Sequence, residues 1–391
     1  MHRFSSPWGD LDLTRYPAEP REQLRAWDAA DAYALQHLAD TGRAAQAGRT
    51  VVVGDRWGAL TTALAAGGTT RPTLVTDSYL GRQAAAANLR RAIPDAPAGA
   101  PASAPAELRT TRDEPPARID LLIIRVPKSL ALLEDQLHRL APAVHPGTTV
   151  LGTGMVSEIH TSTLRLFERI IGPTTTSLAV RKARLVFCTP EPGLARGANP
   201  WPLRYALPDG IGPMSGRTVV NHAGVFCADR LDLGTRLLLA HLPDRTGPDR
   251  VVDLGCGNGV LGTAAALANP DAEVLFTDES YQAVASAEET FHANAAPGSK
   301  ARFAVGDALT AVPPGSADLV LLNPPFHSHR ATTDAAARRM FTTAHAALAA
   351  GGELRVVANR HLAYLPRLRR LFGNGEVAAA NPKYVVLRST R

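Results

Sequence analysis

Residues 251–262 read VVDLGCGNGVLG, and residues 319–326 read LVLLNPPF. The first stretch is an apolar run that breaks into a loop of glycines. The second is another apolar run, ending in Asn-Pro-Pro-Phe. Runs without polar alternation suit parallel strands buried on both faces. Gly255, Gly257, Gly259 and Gly262 withdraw side chains where a ligand must approach backbone, and they let the chain turn with φ > 0. Asp253 stands at the end of its strand, where open α/β sheets bind ligands. The glycine pattern alone also fits a dinucleotide fingerprint, so it leaves the ligand open.

Asn323-Pro324-Pro325-Phe326 resolves that ambiguity, because a nicotinamide enzyme has no use for it. The tetrapeptide suits an enzyme that must grip a planar amino group. The pair of stretches therefore reads as a class I S-adenosylmethionine-dependent methyltransferase acting on nitrogen. An exocyclic amine on a base is a poor nucleophile, since its lone pair is conjugated with the ring. The Asn323 side-chain oxygen and the Pro324 carbonyl can each accept one N–H and aim that lone pair. Two prolines fix φ and remove donors, and Phe326 offers a face for stacking. The competing reading is a proline-rich turn after a strand.

Three further positions complete the expected cofactor cleft. Asp278 ends the next strand and can accept two ribose hydroxyls, although a helix cap is its structural alternative. Asp307, within Val305-Gly306-Asp307-Ala308, can receive an adenine amino group or serve only as a turn residue. Asn258 lies inside the glycine loop. Residues 221–239, NHAGVFCADRLDLGTRLLL, lead into the catalytic strand, with Phe226 and Asp232 the side chains of interest. His327 and His329 follow the tetrapeptide, without a further ligand at metal-binding spacing.

Read in order, the chain repeats itself. The strand at 51–54 matches 251–254, Thr76-Asp77 matches Thr277-Asp278, and 119–124 matches 317–322. The fold expected is α/β, with two tandem Rossmann-like methyltransferase domains. The first spans 1–190, a proline- and glycine-rich linker 191–216, and the catalytic domain 217–391. The first copy is degenerate: Gly54-Asp55-Arg56-Trp57-Gly58 replaces the glycine loop, and Arg125-Val126-Pro127-Lys128 replaces the tetrapeptide. The Leu24, Trp27, Ala30 and Leu35 spacing predicts an amphipathic helix after a polar lead-in. Residues 92–118 are Ala/Pro-rich and read as an exposed insertion around one short strand.

The chain has 391 residues, 45% hydrophobic and 20% charged, with net charge +6 and only four lysines among its 42 basic residues. That is an ordinary globular balance. The basicity fits either a GC-rich genome or a polyanionic partner. Arg360, His361, Arg367, Arg369, Arg370, Arg388 and Arg391, and in the first half Arg181, Lys182 and Arg184, are either solvated faces or phosphate-gripping surfaces. Cys188, Cys227 and Cys256 form no CxxC pair, which argues against a disulfide scaffold and against structural zinc. The opening MHRFSSPWGDLDL has no apolar leader core, and no run reaches membrane-spanning length. A cytoplasmic, soluble monomer without a membrane partner is expected.

The whole chain resembles the two-domain bacterial ribosomal RNA guanine-N2 methyltransferases, most closely the large-subunit (23S) branch. In the second half the resemblance rests on VVDLGCGNGVLG, TDESYQAVASA, LLNPPFHSH, GELRVVANRHLAYLPRLRRLFGN and KYVVL. In the first it rests on AWDAADAYALQ, RVPKSLALLEDQL, EIHTSTLRLFERIIGPTTTSLA and RKARLV. It implies methyl transfer to N2 of one guanine in 23S rRNA, and a first domain that helps hold RNA. It also implies cofactor contacts at Asp253, Gly255, Gly257, Gly259, Asp278 and Asp307, beside which Asn258 and Ala308 are further cofactor-binding candidates, and base contacts at Asn323, Pro324, Pro325 and Phe326. The alternatives are the 16S rRNA branch, a DNA adenine-N6 or release-factor glutamine-N5 methyltransferase, and a non-catalytic RNA-binding assembly factor.

Overall fold

The computed structural model describes residues 2–18, 22–94, 104–325 and 330–391. The chain divides into two compact units, Met1–Pro200 and Trp201–Arg391. The first opens on a hairpin of β1 (His2–Ser6) and β2 (Gly9–Leu13), where the sequence suggests only a polar lead-in. Helix α1 (Ala29–Asp40) begins later than the Leu24 spacing predicts, because Asp28 caps it. The Asp28 carboxylate accepts from the Ala30 N–H while Asp31 accepts from the Asp28 N–H. That reciprocal cap satisfies amides the first turn leaves free.

There follow α2 (Arg43–Gln46), β3 (Thr50–Val53), α3 (Ala59–Ala66), β4 (Thr73–Thr76), α4 (Tyr79–Ala92), β5 (Glu107–Thr110) and β6 (Ile119–Arg125). Then come α5 (Leu130–Leu140), β7 (Val144–Met155), α6 (Thr161–Ile170), β8 (Thr174–Thr176) and β9 (Ala183–Cys188). Within the Ala/Pro-rich 92–118, β5 is the one short strand among the described residues; positions 95–103 lie outside them.

The second unit contains β10 (Leu203–Ala206), β11 (Thr218–Asn221), α7 (Leu233–Leu239), β12 (Arg250–Leu254), α8 (Val260–Ala268), β13 (Glu273–Asp278), α9 (Tyr281–Asn294) and β14 (Lys300–Val305). It continues with β15 (Ala317–Leu322), α10 (Arg330–Ala347), β16 (Leu348–Asn359), α11 (Tyr364–Phe372), β17 (Glu376–Ala380) and β18 (Tyr384–Thr390). β10 lies within the expected linker and pairs with β11, while Met214 joins the second unit's core, so part of 191–216 is folded structure.

The two sheets share one strand order: β5-β4-β3-β6-β7-β9-β8 in the first unit and β14-β13-β12-β15-β16-β18-β17 in the second. In each, six of the seven strands run in one direction and one, β9 or β18, runs antiparallel to its neighbours on both sides. Apolar clusters cover both faces of each sheet, as parallel strands require. In the second unit Leu254 is level with Thr277 and Leu322, so Gly255, Asp278 and Asn323 emerge side by side at one edge. In the first, Val53 is level with Val75 and Ile124, so Gly54, Thr76 and Arg125 take the same places.

That register corrects one correspondence. The counterpart of Asp278 is Thr76, not Asp77. The capping residues confirm it, since Ser78 precedes α4 as Ser280 precedes α9. Ser78 donates its N–H to the Thr76 hydroxyl as Ser280 donates its own to Asp278. The Thr-Asp dipeptide shared by both copies is out of step by one residue with the strands.

Candidate active site

The loop from β12 to α8 turns on three glycines in the left-handed region: Gly255 (φ 69°), Gly257 (φ 53°) and Gly259 (φ 75°). They do different work. A Cβ on Gly259 would lie 2.6 Å from the Ala287 Cα, and one on Gly262 would lie 2.4 Å from the Phe276 ring. Those two glycines let α8 sit tightly on α9 and on the sheet. A Cβ on Gly257 would meet nothing within 4 Å, and one on Gly255 only the Met340 methyl. Space beside the backbone at Gly257 is therefore free. The Gly255 and Cys256 N–H groups donate to the Thr277 carbonyl at 2.8 and 3.0 Å, holding the loop to β13.

Two carboxylates flank the loop. Asp253 is 1% exposed; Oδ2 accepts from the Gly262 N–H at 2.8 Å, while Oδ1 is buried without a partner among the described residues. Burial pushes this carboxyl up to about 8, the Gly262 N–H opposing and Asp278 reinforcing the shift. Asp278 accepts from the Ser280 N–H at 3.0 Å and the Gly257 N–H at 3.1 Å. Burial raises it too, against those backbone donors. The Glu279 N–H is a third backbone donor to it; a carboxylate has about four acceptor sites, so Asp278 keeps capacity beyond these bonds.

Asp307 follows β14, 7% exposed, and Oδ1 is held at 2.7 Å by the Arg339 guanidinium from α10. Burial raises its carboxyl while Arg339 lowers it. Ala308 has φ 49°, an uncommon backbone for a residue with a Cβ. Asn258 donates its side-chain N–H to the Asn221 Oδ1 at 3.0 Å. The fully buried Asn221 retains an Nδ2 without a partner among the described residues.

Asn323 emerges from β15 beside the loop. Its Nδ2 donates to Asp232 Oδ2 at 3.2 Å and to Thr235 Oγ1 at 2.9 Å. Asp232 caps α7, accepting from the Thr235 N–H at 2.8 Å and the Thr235 hydroxyl at 3.3 Å. An ionised carboxylate can only accept, so the amide group has one consistent orientation, nitrogen toward α7. Its Oδ1 is then turned away from the clamp, buried and without a partner among the described residues. A buried acceptor left unmade costs about 1–3 kcal/mol, which a donor on a ligand would recover. Pro324 is buried and Pro325 exposed; Phe326, His327 and His329 lie outside the described residues.

The first unit keeps this clamp with other chemistry. Arg125 occupies the place of Asn323, 1% exposed, and pairs with Asp28 at 2.6 Å, Asp31 at 3.3 Å and Glu158 at 3.0 Å. Asp28 and Asp31 stand at the α1 cap and its third residue, as Asp232 and Thr235 do at α7. Arg56, in the glycine loop's place, joins Asp28 and Glu158. Gly58 repeats Gly259: φ is 82°, and a Cβ would lie 2.5 Å from the Ala85 Cα. Even the strand-end acid is replaced, Asp55 accepting from the Thr61 N–H as Asp253 accepts from Gly262.

Sequence reasoning missed Thr235, Arg339 and Asn221. Thr235 carried a signal, since Asp-Leu-Gly-Thr places a hydroxyl three residues after a capping acid. Several arginines read as phosphate-gripping have structural partners: Arg367 with Asp334, Arg388 with Glu353 and Glu376, and Arg369 with the Gly375 carbonyl. Phe226 is 51% exposed. No group of three metal-ligating side chains occurs among the described residues.

Residues 1–192 match the family model described as RLMG N-terminal domain, and residues 216–388 match that of the methyltransferase small domain. The Ribosomal RNA large subunit methyltransferase G of Streptomyces avermitilis is 65% identical over 99% of both chains. That of Stutzerimonas stutzeri is 46% identical over 100% of both. The chain belongs to the ribosomal RNA large subunit methyltransferase G family. A solved T. thermophilus 16S rRNA N2 methyltransferase, in complex with AdoMet and guanosine, covers 100% of this chain with a TM-score of 0.74. At 19% identity it shows the shared fold, including both sheets.

The protein is thus an S-adenosylmethionine-dependent methyltransferase, and its own residues fit that cofactor. The loop Gly255–Gly259 is a backbone cradle with open space at Gly257. The unpartnered Asp253 Oδ1 and Asn221 Nδ2 supply one buried acceptor and one buried donor beside it, complementary to the charged ends of an amino acid. Among the described residues, no helix is long and apolar enough to cross a membrane.

Proposed function

We propose that this protein methylates the exocyclic N2 of one guanine in 23S ribosomal RNA. The observation that carries the reading is the Asn323 carboxamide, anchored through its nitrogen by Asp232 and Thr235 with its oxygen turned away, buried and unpartnered. Such an oxygen is a fixed acceptor for an amino group, and an amine of this kind is what guanine presents at N2. When bound, S-adenosylmethionine supplies an electrophilic methyl carbon. Asn323 Oδ1 and the Pro324 carbonyl accept the two N–H groups, which turns the nitrogen lone pair out of conjugation and toward that carbon. As the nitrogen becomes cationic, both acceptors and the Asp232 charge behind the amide stabilise it. The nitrogen proton is then acidic enough to leave to water, so no covalent enzyme intermediate is needed.

In this reading Asp278 holds the ribose, Asp307 the adenine amino group and Phe326 the face of the base. The first unit, with Arg125 and Arg56 where the amine clamp and glycine loop would be, acts as an RNA-holding scaffold without cofactor. The enzyme works as a monomer in the cytoplasm, the duplication supplying a partner domain within one chain.

The test is transfer of tritiated methyl to rRNA from cells lacking the gene, mapped by nuclease digestion and mass spectrometry. One N2-methylguanine in 23S RNA, lost in Asn323→Ala, is the expected result. Label in 16S RNA would move the substrate to the other subunit, and no label in any RNA would overturn the reading.

A further inference from the structure

At the carboxyl edge of the first unit's sheet, β9 begins in a turn of unusual composition. Val180 and Ala183 exchange both backbone hydrogen bonds, at 2.9 and 2.8 Å, so Arg181 and Lys182 form a two-residue hairpin loop. Their φ values are 50° and 63°. Such a loop favours Asn-Gly, because a Cβ clashes with backbone in the left-handed region. Here two long cations occupy both strained positions side by side. The Lys182 carbonyl accepts from the Val156 N–H at 2.8 Å, so the turn is anchored to the end of β7. The equivalent turn of the second unit, between β17 and β18, runs through Pro382 and Lys383, and neither has positive φ.

Immediately before the turn the edge strand is bulged. Ser177 donates to the Leu185 carbonyl and Val180 to that of Ala183, so Leu178 and Ala179 face the single residue Arg184. A bulge at a sheet edge re-aims a side chain, and Leu178 is 88% exposed. Val156 (38%) and Val180 (44%) are exposed at the same tip. Arg181, Lys182 and Arg184 have no ion pair among the described residues, so their charges are not neutralised within the unit.

We propose that this tip, Leu178 with Arg181 and Lys182, is an RNA-gripping prong. The cations meet phosphates and the apolar group packs against an unstacked base. The proposal rests on the function proposed above, and RNA is the partner argued because its chemistry matches both halves of the tip: a polyanion whose bases carry apolar faces. A competing physical role exists. Cations on an edge strand can simply repel a second edge. RNA affinity separates the two roles, since guarding an edge does not require binding to phosphate.

Full-length protein is titrated with an in vitro transcript of large-subunit rRNA at several salt concentrations. In Arg181→Asn/Lys182→Gly the turn is relaxed, and the thermal midpoint rises by about 2–4 °C. RNA affinity falls about tenfold or more, and the slope of log affinity against log salt shrinks by about 1.4–1.8 for two lost phosphate contacts. Leu178→Ser lowers affinity about tenfold with the slope unchanged, as loss of an apolar contact should. Cofactor affinity, measured by calorimetry, is wild-type in both. Unchanged RNA affinity and slope in the double variant, with or without new self-association, overturns the prong and leaves the edge guard. Wild-type protein that binds no RNA would instead overturn the function on which the prong rests.

Discussion

At the scale of single residues, the site is defined by polar atoms whose partners are fixed on one side and missing on the other. Thr235→Val removes one of the two acceptors that orient the Asn323 amide, and Asp232→Asn replaces the other with a group that can also donate. Each is expected to lower kcat about tenfold or more with cofactor affinity unchanged, while Thr235→Ser stays near wild type; rapid-quench turnover and calorimetry check this. Asp253 gives a pH signature. Its folded pKa of about 8 lies above the ordinary 3.8, so folding takes up a proton there. Its contribution is complete below the unfolded value and is lost as pH rises through about 8. Without added cofactor, the thermal midpoint should fall between about pH 5 and 8, and Asp253→Asn should flatten that fall.

At the scale of elements, the strand–loop–helix unit was legible because glycine spacing and apolar runs are local. What spacing could not reveal is that the glycines serve two purposes. Gly259→Ala and Gly58→Ala each drive a methyl into the next helix and are expected to cost about 1–3 kcal/mol of stability for that overlap, on top of a left-handed backbone term of about 1–2 kcal/mol. Gly257→Ala meets no neighbour and should cost only the backbone term, about 1–2 kcal/mol, yet weaken cofactor binding most. Urea melts paired with calorimetry separate the three. The same limit explains the late start of α1. The Leu24–Leu35 periodicity runs on through Asp28, and the cap, which depends on a side chain folding back on its own backbone, decides where the helix begins.

At the scale of the whole molecule, one topology carries two chemistries. The Arg125 cluster shows how the first unit fills the places the second keeps for ligands. Burial opposes ionisation of Glu158, but the Arg125 and Arg56 guanidiniums hold it down to about 2. Its stabilisation is therefore present above its ordinary 4.5 and is lost as pH falls through about 2. Arg125→Met leaves the buried Asp31 without its guanidinium, and Asp28 and Glu158 with Arg56 alone, and should cost about 3–5 kcal/mol, read from the urea midpoint. At the strand end and in the loop where the second unit has Asn323 and Gly257, the first has Arg125 and Arg56, held in an ion cluster with Asp28, Asp31 and Glu158.

The sequence by itself determined the α/β class, the duplication, the glycine loop, the strand-end acids and the Asn-Pro-Pro-Phe motif. Each is encoded in residues adjacent or periodic along the chain, and steric and hydrophobic rules act on such patterns directly. Tertiary structure decided the rest. It paired Asn323 with Asp232 and Thr235, which stand far back in the chain, and tied Asp307 to Arg339. It also shifted the Asp278 counterpart from Asp77 to Thr76 and gave Arg367 and Arg388, which the sequence left as solvated or phosphate-gripping, ion-pair partners within the chain. Hydrogen bonds and charges act over a few ångströms through space, and sheet register alone settles which distant residues come that close.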